Sequence, residues 1–159
     1  MLIKTDHSIP NQPDSWKCTL SWGDIAMFRF PLSLGRTRQL SKALPCLILD
    51  IDDFAEDRFA TLAYGIDADT TPPSTYETLV SRPVALVRAG LETPTRFVGQ
   101  HRLTVSLHNK GFMLAADGSP VIGKLTGIER ARFSKLRARI RAEVDIAANY
   151  RSERRRKQA

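Results

Sequence analysis

An α+β fold, a small curled sheet closed by a C-terminal helix, is predicted by three features of the chain. Short stretches with strand character recur between Asp24 and Lys124, separated by turn signals. One well-marked amphipathic helix follows them, opening at Thr126. The 159 residues, 42% hydrophobic and 26% charged, have the composition of an ordinary domain able to bury a core. Together these features describe a small, mostly antiparallel β-barrel of SH3-like type, residues 16–150, with its helix at about 127–148.

Residues 1–15 mix Asp, Asn, Ser and Pro without period and read as an irregular arm, which Trp16 and Trp22 pin to the sheet. A strand is expected from Asp24 to Pro31, a basic loop from Leu32 to Ala43, and a nearly all-apolar strand from Leu44 to Ile51. Pro31 and Pro45 mark the loop ends, where a missing N–H harms a ladder least. The loop holds Arg36, Arg38 and Lys42 and no acid, and is either a phosphate-holding loop on a stiff sheet or a solvated connection.

After an acidic turn at Asp52–Asp57 comes a strand from Arg58 to Ile66. Residues 67–75, DADTTPPST, can continue neither strand nor helix. Further strands are expected at Glu77–Val80, Pro83–Arg88, Thr95–Val98, Arg102–Leu107 and Val121–Lys124. The alternation in LTVSL is that of a half-buried strand. In the helix, Thr126 and Glu129 form a capping-box pair, and Phe133, Leu136, Ile140, Val144 and Ala147 share a face. Residues 151–159, with Arg154-Arg155-Arg156-Lys157, read as a mobile basic tail.

The net charge of +7 is unevenly placed. Residues 123–159 hold twelve Lys or Arg against four Asp or Glu, so the rest of the chain is close to neutral. Such asymmetry suits an anionic partner, and also solubility. Two cysteines, Cys18 and Cys46, make no disulfide framework, and no spacing suggests a metal site. No apolar run is long enough to span a bilayer and the N-terminus is polar, so a cytoplasmic protein is expected.

The segments Gly23-Asp24-Ile25, Pro45-Cys46-Leu47-Ile48-Leu49 and Ile122-Gly123-Lys124-Leu125-Thr126 fall in this order, with Ala63-Tyr64-Gly65, Ala89-Gly90-Leu91, Pro94-Thr95 and Phe97 between them. In order and spacing they resemble the PemK/MazF-like toxins of type II toxin–antitoxin systems, across roughly residues 22–145. The resemblance implies an SH3-like barrel with a C-terminal helix that forms a homodimer and is blocked by a cognate antitoxin. It also implies cleavage of single-stranded RNA without a metal or other cofactor. RNA brings its own nucleophile, the 2′-hydroxyl, so arginines that offset charge at phosphorus suffice.

Carried onto this chain, the family's loop-end Arg corresponds to Leu44 and its Thr after the central strand to Ile66. Arg88 falls near an Arg that some relatives use, but Gly90 stands where they have an acid. Arg88 and Asp67 are therefore the candidate catalytic pair, with Asp69 as an alternative acceptor. Arg36, Arg38, Lys42 and Arg96 are the candidate RNA-binding residues. His101 and His108 flank the LTVSL strand and have the chemistry of an acid or base near neutral pH. Two functions stay open: an endoribonuclease toxin, or a barrel that binds RNA or an antitoxin without cutting.

Overall fold

The computed structural model describes residues 14–34, 38–69 and 76–158; at 30–34, 38–41, 100 and 101 it describes the backbone. Among these residues the order is α1 (Ser15–Thr19), β1 (Asp24–Leu34), β2 (Arg38–Phe54), β3 (Asp57–Asp67), β4 (Glu77–Val80), α2 (Pro83–Ala89), β5 (Thr95–Ser106), β6 (Val121–Lys124) and α3 (Gly127–Lys157). The strands form one antiparallel sheet in the order β4-β5-β3-β2-β1-β6. The fold is thus α+β, a curled half-barrel with a C-terminal helix.

The sheet buries residues on both faces, as its alternation requires. On one face Ala26, Phe28, Cys46, Ile48 and Leu62 pack under Trp16 and Leu20 of the N-terminal segment and under Phe112. On the other, Ile25, Leu47, Leu49, Ala63 and Phe97 pack against Ala85 and Ala89 of α2 and Phe133 of α3. The curl comes from α2. It follows β4 at one edge of the sheet, yet its end meets β6 at the other edge. Only glycine permits that approach: a Cβ on Gly123 would lie 2.4 Å from the Arg88 carbonyl oxygen, and one on Gly90 2.2 Å from that of Ile122.

Several expectations are corrected. The basic segment from Leu32 to Ala43 is largely strand, with pairing continuous from Ile25↔Leu47 to Leu34↔Arg38. Both prolines fit because Met27 and Arg29 turn hydrogen-bonding groups away from β2, Met27 N–H toward the Pro120 carbonyl and Arg29 N–H toward that of Gly111. The Met27↔Pro45 and Pro31↔Ser41 pairs are therefore the non-hydrogen-bonded kind, which lose nothing to a missing N–H.

Pro83–Arg88 is helix, not strand: Pro83 opens α2, and Gly90, at φ 70°, closes it. The expected strands Thr95–Val98 and Arg102–Leu107 are one strand, β5, irregular in its middle. Residues 151–157 continue α3 rather than forming an unstructured tail, since Arg, Glu and Lys are good helix formers and no Gly or Pro interrupts them.

Thr126 is the N-cap of α3, but its side chain makes no capping bond. Gly127 enters the helix at φ 56°, and the Thr126 hydroxyl lies 3.4 Å from Arg88 Nη1. Glu129 turns instead to Arg82, which donates from Nε and Nη2 to its two carboxylate oxygens at 2.7 Å each. This bidentate bond holds the Glu129 carboxyl below its ordinary range, against the opposing effect of burial. It ties the start of α3 to the start of α2.

Candidate functional site

The longest strand, β2, is polarised. From Arg29 to Leu49 the chain holds Arg29, Arg36, Arg38 and Lys42 and no acid, whereas Asp50–Asp57 holds five acids and no base. Arg29 and Lys42 are exposed. Arg36 lies outside the described residues. Arg38 pairs with Leu34, and its side chain lies outside the described residues; Lys42, opposite Phe30, shares the face of Phe28. Leu44, opposite Phe28, continues the row of Lys42.

The neighbouring strand brings Ile66 to the same face. Tyr64 pairs with Cys46, and Ile66 is two residues further along β3, as Leu44 is along β2 in the same direction. Arg96 lies opposite Ile66. The two positions at which the resemblance expects catalytic groups, Leu44 and Ile66, are thus near neighbours on a surface shared with Lys42 and Arg96.

The remaining candidates are placed elsewhere or already bonded. Arg96 Nη1 donates to both Glu77 carboxylate oxygens, at 2.9 and 3.2 Å, and its Nε to the Ala68 carbonyl at 3.2 Å. With both partners largely buried, this pair is a fastening between strands. Asp67 follows Ile66 and so belongs to the opposite face; its carboxylate accepts the Asp69 N–H at 3.0 Å, as in a turn. Arg88 ends α2, which covers that opposite face. It sits at β6, beside the Ile25 end of β1, and Ile25 is nine residues from Leu34, about 30 Å of strand. The structure therefore does not bring Arg88 and Asp67 to the face that carries Lys42.

His108 lies 3.3 Å from Lys17 Nζ and 3.8 Å from Asp57, beside the acidic hairpin. The Cys46 thiol, pushed up to about 12 by burial, is no nucleophile at neutral pH.

Arg29 was missed in the sequence, although it is a charge inside an apolar strand run; it falls on the face opposite Lys42. Also missed was the anchorage of α3. Arg137 donates from Nε to the Leu49 carbonyl at 2.7 Å and from Nη2 to Asp50 at 3.1 Å. Arg141 Nη2 reaches the second Asp50 oxygen at 2.6 Å. Burial raises the Asp50 carboxyl, but Arg141, the Ile51 N–H and Arg137 outweigh it and hold the group below its ordinary range.

A cleft of about 540 Å³ opens where α3 leaves the sheet, between Thr61, Arg102 and Thr104 on the floor and Ile140, Val144 and Asp145 on the helix. A second, of about 460 Å³, lies between Trp22, Asp24, Lys124 and Arg130. Among the described residues, no cluster of three or more His, Cys, Asp or Glu is placed to hold a metal ion, and no helix is long and apolar enough to cross a membrane.

Compared with known proteins, the chain matches no family model, and no curated protein is significantly similar to it.

Proposed function

We propose that this chain is an SH3-like barrel of the PemK/MazF-like kind that binds single-stranded RNA along the cationic half of its first hairpin and does not cut it. One observation carries the reading: Leu44 and Ile66 lie together on the face that holds the exposed Lys42, with Arg96 tied to Glu77 beside them. A surface with cations at its rim and aliphatic groups at its centre can hold a ribose-phosphate chain. At its centre Leu44 and Ile66 supply no group to take the 2′-hydroxyl proton or to offset charge at phosphorus. Arg88 and Asp67 do not fill the gap, since both belong to the other side of the sheet.

The acid-free run from Arg29 to Leu49 supports the choice of ligand. The test uses RNA and a fully 2′-O-methylated copy. Both are expected to bind, more weakly as salt rises and more weakly still to Lys42→Glu, and both to remain intact. Restoring Leu44→Arg together with Ile66→Thr is expected to create cleavage of the unmodified RNA only. Cutting of that RNA by the parent chain would overturn the reading in favour of an endoribonuclease.

A further inference from the structure

Two register breaks in the sheet put opposite charges on the face that α3 covers. Along β2, Leu47 packs on that face, and strict alternation would turn Asp50 and Asp52 away from it. The ladder instead shifts: Ile48 pairs with Leu62 but Asp50 with Thr61, and beyond the shift Asp50 and Asp52 line the cleft under the helix. Along β5, Phe97 packs on the α3 face, and alternation would turn Arg102, five residues on, to the other side. Here the pairing shifts between Gly65↔Phe97 and Ala63↔Arg102, and Arg102 enters the same cleft. Such breaks re-aim side chains at a cost to the ladder.

The charges fall at two poles. Arg102 stands at one corner of the floor, exposed and with no anionic partner among the described residues. Asp52 stands at the diagonal corner and Asp145 on the helix; both act on Arg141 from a distance, and neither forms an ion pair among the described residues. Asp50 is already matched by Arg137 and Arg141. The three arginines and three aspartates of the lining cancel, so the cleft suits neither a plain anion nor a plain cation. Between the poles the Thr61 and Thr104 hydroxyls bond to each other at 3.0 Å and keep capacity for a further partner. Arg102 pairs with Ala63 and Asp52 with Phe59, so these corners are two strands and four residues apart, about 16 Å between Cα atoms. Once both side chains reach inward, a ligand that meets both needs charged ends about 10 Å apart, the span of about three extended residues.

We infer that the cleft between α3 and the sheet binds a short peptide by its two free ends, with the carboxylate on Arg102 and the ammonium toward Asp52 and Asp145. Its amides meet the threonine hydroxyls, and its central side chain meets the aliphatic wall of Leu49, Ile140 and Val144. The volume of about 540 Å³ is that of a small-ligand pocket. The site is independent of the RNA reading, because it lies on the face opposite Lys42.

Calorimetric titration of the full-length, nuclease-treated chain with the tripeptide alanyl-leucyl-alanine tests it, beside the N-acetylated, C-amidated and doubly blocked forms. The free tripeptide is expected to bind, and blocking either end to weaken binding by about tenfold or more. Arg102→Ala should weaken binding similarly and abolish the effect of amidation while keeping that of acetylation. Asp52→Asn with Asp145→Asn should do the converse, and Lys42→Glu should bind as the parent does. All of these residues are exposed, so circular dichroism should show every variant folded. Because the bound peptide joins Asp145 to the sheet, amide exchange should slow in α3 beyond Arg141. Failure of the free tripeptide to bind, equal binding of the doubly blocked form, or end effects that persist unchanged in the Arg102 and aspartate variants would each overturn the assignment.

Discussion

The two halves of α3 are one continuous helix in two different environments. From Gly127 to Ile140 the helix buries Glu129 and Phe133 and half-buries Leu136, Arg137 and Ile140; from Arg141 onward everything is exposed. The first half is held by shape and by paired charge: Phe133 against the sheet core, Arg82 on Glu129, Arg137 on Leu49 and Asp50. The second half keeps only two exposed ties, Arg141 to Asp50 and the Tyr76 hydroxyl to Glu143, and buries nothing. Secondary structure here is uniform along the element while stability is not, so the halves should answer very differently to substitution.

The largest expected difference is at Phe133, fully buried and 6.0 Å from the Trp22 ring. Phe133→Ala should cost about 3–5 kcal/mol through lost burial and the cavity left behind, read as a fall in the denaturant midpoint without a change in slope. Next comes Asp50, the carboxylate that holds both Arg137 and Arg141. Asp50→Ala strands Arg137, only 13% exposed, without its anion, and should cost about 1–3 kcal/mol. If either change were as mild as one in the second half, the contrast drawn between them would fail.

Acid distinguishes the halves by sign as well as size. Glu129 is held below its ordinary range by Arg82, so it binds its proton less readily folded than unfolded. Its contribution is therefore complete above the ordinary carboxylate range and is lost as pH falls through the folded value. Asp50 acts with the same sign. Asp24 acts with the opposite one, because burial raises its carboxyl despite the Ser21 N–H, Lys124 and Arg130. Glu129→Gln should flatten the acid limb of a stability–pH curve measured below pH 5.

The same contrast shows what could be read from the chain in advance. The start of α3 at Thr126 and the stripe Phe133, Leu136, Ile140 were legible because burial imposes a period. The period continues through Val144 and Ala147, but nothing in it reveals that the sheet ends beneath them. Glu129 carries the capping-box signature and is used for a tertiary bond instead, since a buried carboxylate gains more from the Arg82 fork than from a backbone N–H. In α2, Pro83 and Gly90 announced a helix that the valines disguised as a strand. Of the site, the run of cations was visible, but not which face each takes. That depends on the hairpin pairing through Pro31 and Pro45, and on whether a guanidinium such as that of Arg96 finds a carboxylate from another strand.

The smallest stability effect belongs to Ile146 and Tyr150. Truncating both to Ala removes only the exposed contact of the Tyr150 ring with Arg154, and Ala is the better helix former, so stability should change by less than about 0.5 kcal/mol. A loss of monomer stability comparable to that of Phe133→Ala would instead mean that the second half of α3 is packed within its own chain.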